Sequence, residues 1–93
     1  MILSYRDRRT ESVASGRVPK GFPADVARSA IRKLTMIENA EDLSDLHSPP
    51  GNRLEALSGD RKGQYSIRIN NQFRICFVWT KAGAKDVEIV DYH

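Results

Sequence analysis

The sequence predicts an α+β fold, a small sheet preceded by helices, and three observations predict it. Pro23–Ala40 carries an apolar stripe at three- and four-residue spacing, the mark of a helix lying on a core. Gln64–Ile69 and Phe73–Trp79 alternate at period two on either side of Asn70-Asn71-Gln72, which marks two half-buried strands joined as a hairpin. A final β-branched run, Asp86–His93, supplies a further strand.

At 93 residues the chain is read as one domain, 1–93, with a single modest core. Its composition, 40% apolar and 29% charged, is that of a globular protein and not of a disordered one. The net charge of +3 and a pI near 9.3 lean towards an acidic partner. Cys76 is the single cysteine, which excludes an internal disulfide and a cysteine-rich zinc site; among apolar strand residues it is expected to be a buried, inert thiol. Met1–Asp7 lacks the long apolar run of a signal peptide, and no stretch approaches the ~18 apolar residues of a membrane span, so a cytoplasmic protein without membrane contact is expected.

Taken in order, Met1–Tyr5 is short and mostly apolar and reads as an edge strand. Arg6–Lys20 is basic, with a short helix near Thr10–Ser15 and breakers at Gly16 and Pro19. In the main helix Pro23 suits the first turn and Asp25 the positive end of the dipole. Val26, Ala27, Ala30, Ile31, Leu34 and Ile37 form its stripe, and Arg28, Arg32 and Lys33 are placed off it. Leu43 and Leu46 suggest a helical turn within an acidic stretch. His47-Ser48-Pro49-Pro50-Gly51 is a rigid loop that cannot continue a helix, and His47 reads as a bland loop residue. Arg53–Leu57 is read as a short strand, Ser58–Gly63 as a loop, and Thr80–Lys85 as a turn before the last strand.

The central hairpin frames the functional question. Tyr65, Ile67 and Ile69 share a face with Phe73, Ile75, Phe77 and Trp79, leaving Ser66, Arg68, Arg74 and Cys76 on the other. That register sets Arg68 opposite Arg74. Like charges across a ladder are unfavourable, so either one bends away or the two hold an anion together. Guanidinium groups offer planar, bidentate donors to phosphate. His93 suits acid–base work near neutrality, Glu55 would serve as a base if a low-dielectric site raised its pKa, and Tyr65 or Tyr92 could stack on a base. Together these are parts for cleaving a phosphodiester in RNA.

A resemblance extends this reading. Leu57, Gly59, Arg61, Gly63, Tyr65, Ser66 and Ile67, then Asn71, Phe73, Arg74, Ile75 and Phe77, then the terminal Asp91-Tyr92-His93, follow a composite pattern that resembles the HigB branch of the RelE/ParE toxin superfamily. The resemblance implies a RelE-like fold, a small curved antiparallel sheet with N-terminal helices packed on one face. It implies a metal-independent, cofactor-free endoribonuclease that cuts messenger RNA in the ribosomal A site. Its partner would be a HigA-type helix-turn-helix antitoxin, with operator DNA met only through that antitoxin. Carried over, Arg74 matches the phosphate-contacting arginine, and Asp91, Tyr92 and His93 the C-terminal catalytic group. Glu55 departs from HigB relatives that carry histidine there, and matches the glutamate of YoeB toxins. Arg53, Arg61, Lys62, Arg68 and Tyr65 are the expected RNA contacts. Two other readings share this fold: a ParE-like gyrase poison, which needs no acid–base pair, and a catalytically weak RNA- or antitoxin-binding module.

Overall fold

The computed structural model describes residues 1–91. Two helices, α1 (Arg8–Ala14) and α2 (Ala24–Asn39), precede four strands, β1 (Glu55–Ala56), β2 (Tyr65–Arg68), β3 (Phe73–Thr80) and β4 (Gly83–Asp91). The strands form one sheet in the order β1-β2-β3-β4, with every neighbouring pair antiparallel.

Helix α1 starts where the Asp7 carboxylate accepts from Thr10 N at 2.8 Å, satisfying one of the orphan donors of the first turn. Helix α2 buries Val26, Ala30, Leu34 and Ile37 against Ile67, Ile75, Phe77, Val87 and Ile89 of the sheet, as its stripe predicts. Lys33 departs from expectation. It lies within the buried face of α2, 7% exposed, and its ammonium donates to Asn52 Oδ1. Asn52 is itself fully buried and donates to the carbonyls of Leu46 (3.2 Å) and Ser48 (3.3 Å). A polar tie thus fastens the loop before β1 to α2, which is how a lysine comes to occupy a core position. Burial lowers the Lys33 pKa, with a smaller push in the same direction from Arg32.

The hairpin register is the anticipated one: Ser66 pairs with Cys76, Ile67 with Ile75 and Arg68 with Arg74. Two strand boundaries differ. Arg53 adopts a left-handed conformation (φ 45°), so β1 begins only at Glu55. β4 begins at Gly83, not Asp86, leaving Lys81-Ala82 as the turn. A β-bulge opposite Phe77, with Asp86 at φ 53°, inserts one residue into β4. The insertion shifts the alternation, which lets Ala84, Val87 and Ile89 all bury on the helix side.

Met1–Arg6 runs alongside β4, bridging in parallel at Ile2–Ala84 and Tyr5–Val87. Gly83 is required there, because a Cβ would run into the Met1 carbonyl. Past Arg6, α1 takes over the edge: Thr10 Oγ1 accepts from Ile89 N and Arg9 Nη2 donates to Ile89 O, both at 2.9 Å. The outer edge of β4 is therefore satisfied by segments from the other end of the chain. Among the described residues, no helix is long and apolar enough to cross a membrane.

Candidate active site

The face of the sheet away from the helices gathers the polar side chains. Register places Glu55, Ser66, Cys76 and Glu88 in one row across all four strands, with Arg68, Arg74 and Val90 in the next. Arg74, on β3, reaches across β2. Its Nε donates to Ser66 Oγ and its Nη2 to the carbonyl of Arg53, each at 2.8 Å. Nη2 also lies 3.9 Å from Glu55 Oε2. The left-handed turn at Arg53 accompanies this contact by ending the loop just before β1.

Arg68 takes the other direction. Its Nε donates to Asn70 O at 3.1 Å and its Nη2 to Asn71 Oδ1, so it folds onto the hairpin turn. The like-charged pair is resolved by divergence: each guanidinium finds its own oxygens, and the two do not form a joint seat.

The surroundings of Glu55 also correct an expectation. Its side chain is 62% exposed, against 14% for Arg74, so the free protein does not enclose this carboxylate in a low-dielectric pocket. The arrangement brings a carboxylate at the surface beside an anchored guanidinium.

The other expected contacts scatter. Arg61 donates to Gln64 Oε1 and Glu88 Oε1, both at 3.1 Å, and Arg6 approaches the same Glu88 at 4.0 Å. Arg53 and Lys62 are exposed. Tyr65 lies on the helix side, stacked against Phe77 with ring centroids 6.4 Å apart, so the sheet separates it from Arg74. Asp91 pairs with Phe73, on the row of the helix face, and accepts from Gln72 Nε2 at 3.2 Å. Tyr92 and His93 lie outside the described residues. Cys76 is buried; that burial pushes its thiol pKa up, with smaller influences from Arg61 and Arg74 against it and from Glu88 in the same direction. It is the inert thiol expected.

Sequence reasoning placed Ser66 on this face but assigned it no role, and gave none to Glu88. Alternation shows which way a strand residue points. It carries no sign of which side chain from another strand or loop will answer it.

The family model for the RelE-like toxin of type II toxin-antitoxin system HigB matches residues 10–93. The chain belongs to this family. Among HigB relatives it is 38% identical over 80 residues to Toxin HigB-1 of Vibrio cholerae serotype O1, covering 85% of this chain and 84% of that one. It is 28% identical to Endoribonuclease HigB of Proteus vulgaris across the full length of both. A chain of the Staphylococcus aureus YoeB-YefM complex superposes with a TM-score of 0.63 at 16% identity, covering 100% of this chain and 98% of that one. At that identity the likeness is one of fold, and the fold is the RelE-like one anticipated. As a type II toxin, the HigB chain has an antitoxin for a partner.

Proposed function

We propose that this HigB toxin is a metal-independent endoribonuclease that cleaves messenger RNA in the ribosomal A site and so arrests translation. The observation that carries the proposal is the placement of Arg74, anchored on two oxygens with Glu55 3.9 Å away. Arg74 stabilises charge building on the phosphoryl oxygens. Glu55 takes the 2′-hydroxyl proton, or orients it. His93 protonates the leaving 5′-oxygen, while Tyr92 stacks on a base and Asp91 steadies the tail.

The exposure of Glu55 fits a site completed by its target. Covered by RNA and ribosome, the carboxylate would gain the low-dielectric setting that the free chain does not provide. Arg53, Lys62 and Arg68 contact the RNA backbone around Arg74, and Arg61 acts from its place on Glu88. Tyr65 supports the wall of the site from the helix side. The basic N-terminal part, with eight Lys/Arg against three acids up to Lys33, meets ribosomal RNA. The antitoxin is of HigA type, carries the DNA-binding helix-turn-helix, and links the toxin to operator DNA in the cytoplasm.

The test is to induce wild type, Arg74→Ala and His93→Ala without antitoxin and map messenger RNA ends. Wild type should cut within translated codons, and each variant should lose about a hundredfold or more in cleavage. Equal growth arrest by all three without cleavage would sink the nuclease. A supercoiling assay on gyrase would then decide for the ParE-like reading.

A further inference from the structure

The polar face holds a residue with a place in this chemistry that no part of the motif assigns. Ser66 is fully buried in mid-sheet, where a serine has no packing advantage over alanine, and its hydroxyl receives Arg74 Nε at 2.8 Å. Arg74 is the strand arginine that Arg68 faces in the register, and Arg68 turns away to the hairpin. Nothing in β3 itself determines where the Arg74 side chain goes. Its direction comes from two oxygens, Ser66 Oγ and the Arg53 carbonyl.

These contacts divide the guanidinium. Nε is committed to Ser66 and one Nη2 proton to Arg53. Nη1 has no hydrogen-bond partner among the described residues. Nη1 and the second Nη2 proton form the far end of the fork, the edge suited to two phosphoryl oxygens.

We propose that Ser66 is a positioning residue that holds Arg74 by its Nε so that the Nη1–Nη2 end is presented, already oriented, to the scissile phosphate. The assignment rests on the nuclease reading, in which Arg74 touches the substrate. Its physical basis is preorganisation. An arginine loses several side-chain rotations on binding, and a hydrogen bond to Nε made in the free toxin removes that loss from the transition state. Serine chemistry suits this role, because its oxygen is on a short arm, cannot reach the phosphate itself, and carries no charge to compete with the phosphate for the guanidinium.

Single-turnover cleavage on messenger-programmed ribosomes tests this. Ser66→Ala should slow the cleavage rate constant on the order of tenfold while the toxin concentration for half-saturation moves less than about twofold. In an Arg74→Lys background, where no Nε–H donor of guanidinium geometry remains, Ser66→Ala should have no further effect. Ser66→Cys keeps the side-chain connectivity with a slightly larger atom and weakens the acceptor; it should fall between wild type and alanine, and it carries the comparison if the alanine variant folds poorly.

A merely structural serine would lower Tm, and its effect would persist undiminished in the lysine background. That result, or cleavage by Ser66→Ala at the wild-type rate, overturns the positioning role and leaves the nuclease standing. An ¹⁵N–¹H signal from Arg74 Hε, slowly exchanging in the free toxin and lost in Ser66→Ala, reports the hydrogen bond without RNA. If that signal behaves as expected but wild type does not cleave, the nuclease reading has failed, and the positioning role goes with it.

Discussion

Ser66 and Ile67 are neighbours in β2, both fully buried, and they are buried by different means. Ile67 points into the layer between sheet and α2, among Ile75, Phe77, Val87 and Ile89. Ser66 points the other way and is closed off by side chains that meet through hydrogen bonds, with Arg74 donating to it and the Arg61–Glu88 pair farther along the same face. Apolar burial is non-directional: any set of shapes that fills the space gains the same transfer free energy. A hydrogen bond holds one donor to one acceptor at one angle. The helix side therefore supplies stability and the polar side supplies orientation, within a sheet one residue thick.

This contrast predicts unequal costs for breaking the two faces. Phe77→Ala should have the largest effect. The ring is fully buried between Tyr65 and Trp79, each 6.4 Å away by ring centroid, and its loss should cost about 3–5 kcal/mol in urea unfolding. Against a total of roughly 5–15 kcal/mol that is a large share, and a cost under about 1 kcal/mol would show that the helix side does not carry the fold.

Glu88→Ala comes next. It strips Arg61 and Arg6 of a shared carboxylate that is itself largely covered, and should cost about 1–2 kcal/mol. A double-mutant cycle with Arg61→Ala should give a coupling of at least about 0.5 kcal/mol; strict additivity would mean that the pair orders nothing.

The smallest effect concerns pH. Lys33 binds its proton less tightly in the folded chain than in the unfolded one, where its pKa is the ordinary 10.5. Between the lowered value and 10.5 the unfolded state holds the extra proton, so this group makes unfolding free energy rise with pH across that window. Tyr5 and Cys76, both pushed upward mainly by burial, act in the opposite direction at alkaline pH. The Lys33 contribution is therefore the difference between wild type and Lys33→Met. The unfolding free energy of wild type minus that of the variant should rise with pH as 10.5 is approached from below, and a flat difference would place the ammonium in solvent.

How much of the molecule is legible in its sequence follows the range of each interaction. The α2 stripe, the two alternating runs and the Arg68–Arg74 opposition are local periodicities, and they appear as read. The early start of β4 was not legible, because the bulge at Asp86 breaks the alternation that would have revealed it. Lys33 was misplaced because the partner that makes its burial tolerable, Asn52, lies 19 residues away. Tyr65 and Asp91 joined the expected site on chemistry, yet register puts them on the helix-side rows.

Residue order alone determined the fold class, the face of each residue in the central hairpin and, through the motif, the HigB family. Tertiary structure alone decided which of two equivalent arginines reaches Glu55. Period two governs where a Cβ points, whereas a long side chain ends wherever an oxygen awaits it. For Arg74 those oxygens, on Ser66 and Arg53, lie 8 and 21 residues back in the chain.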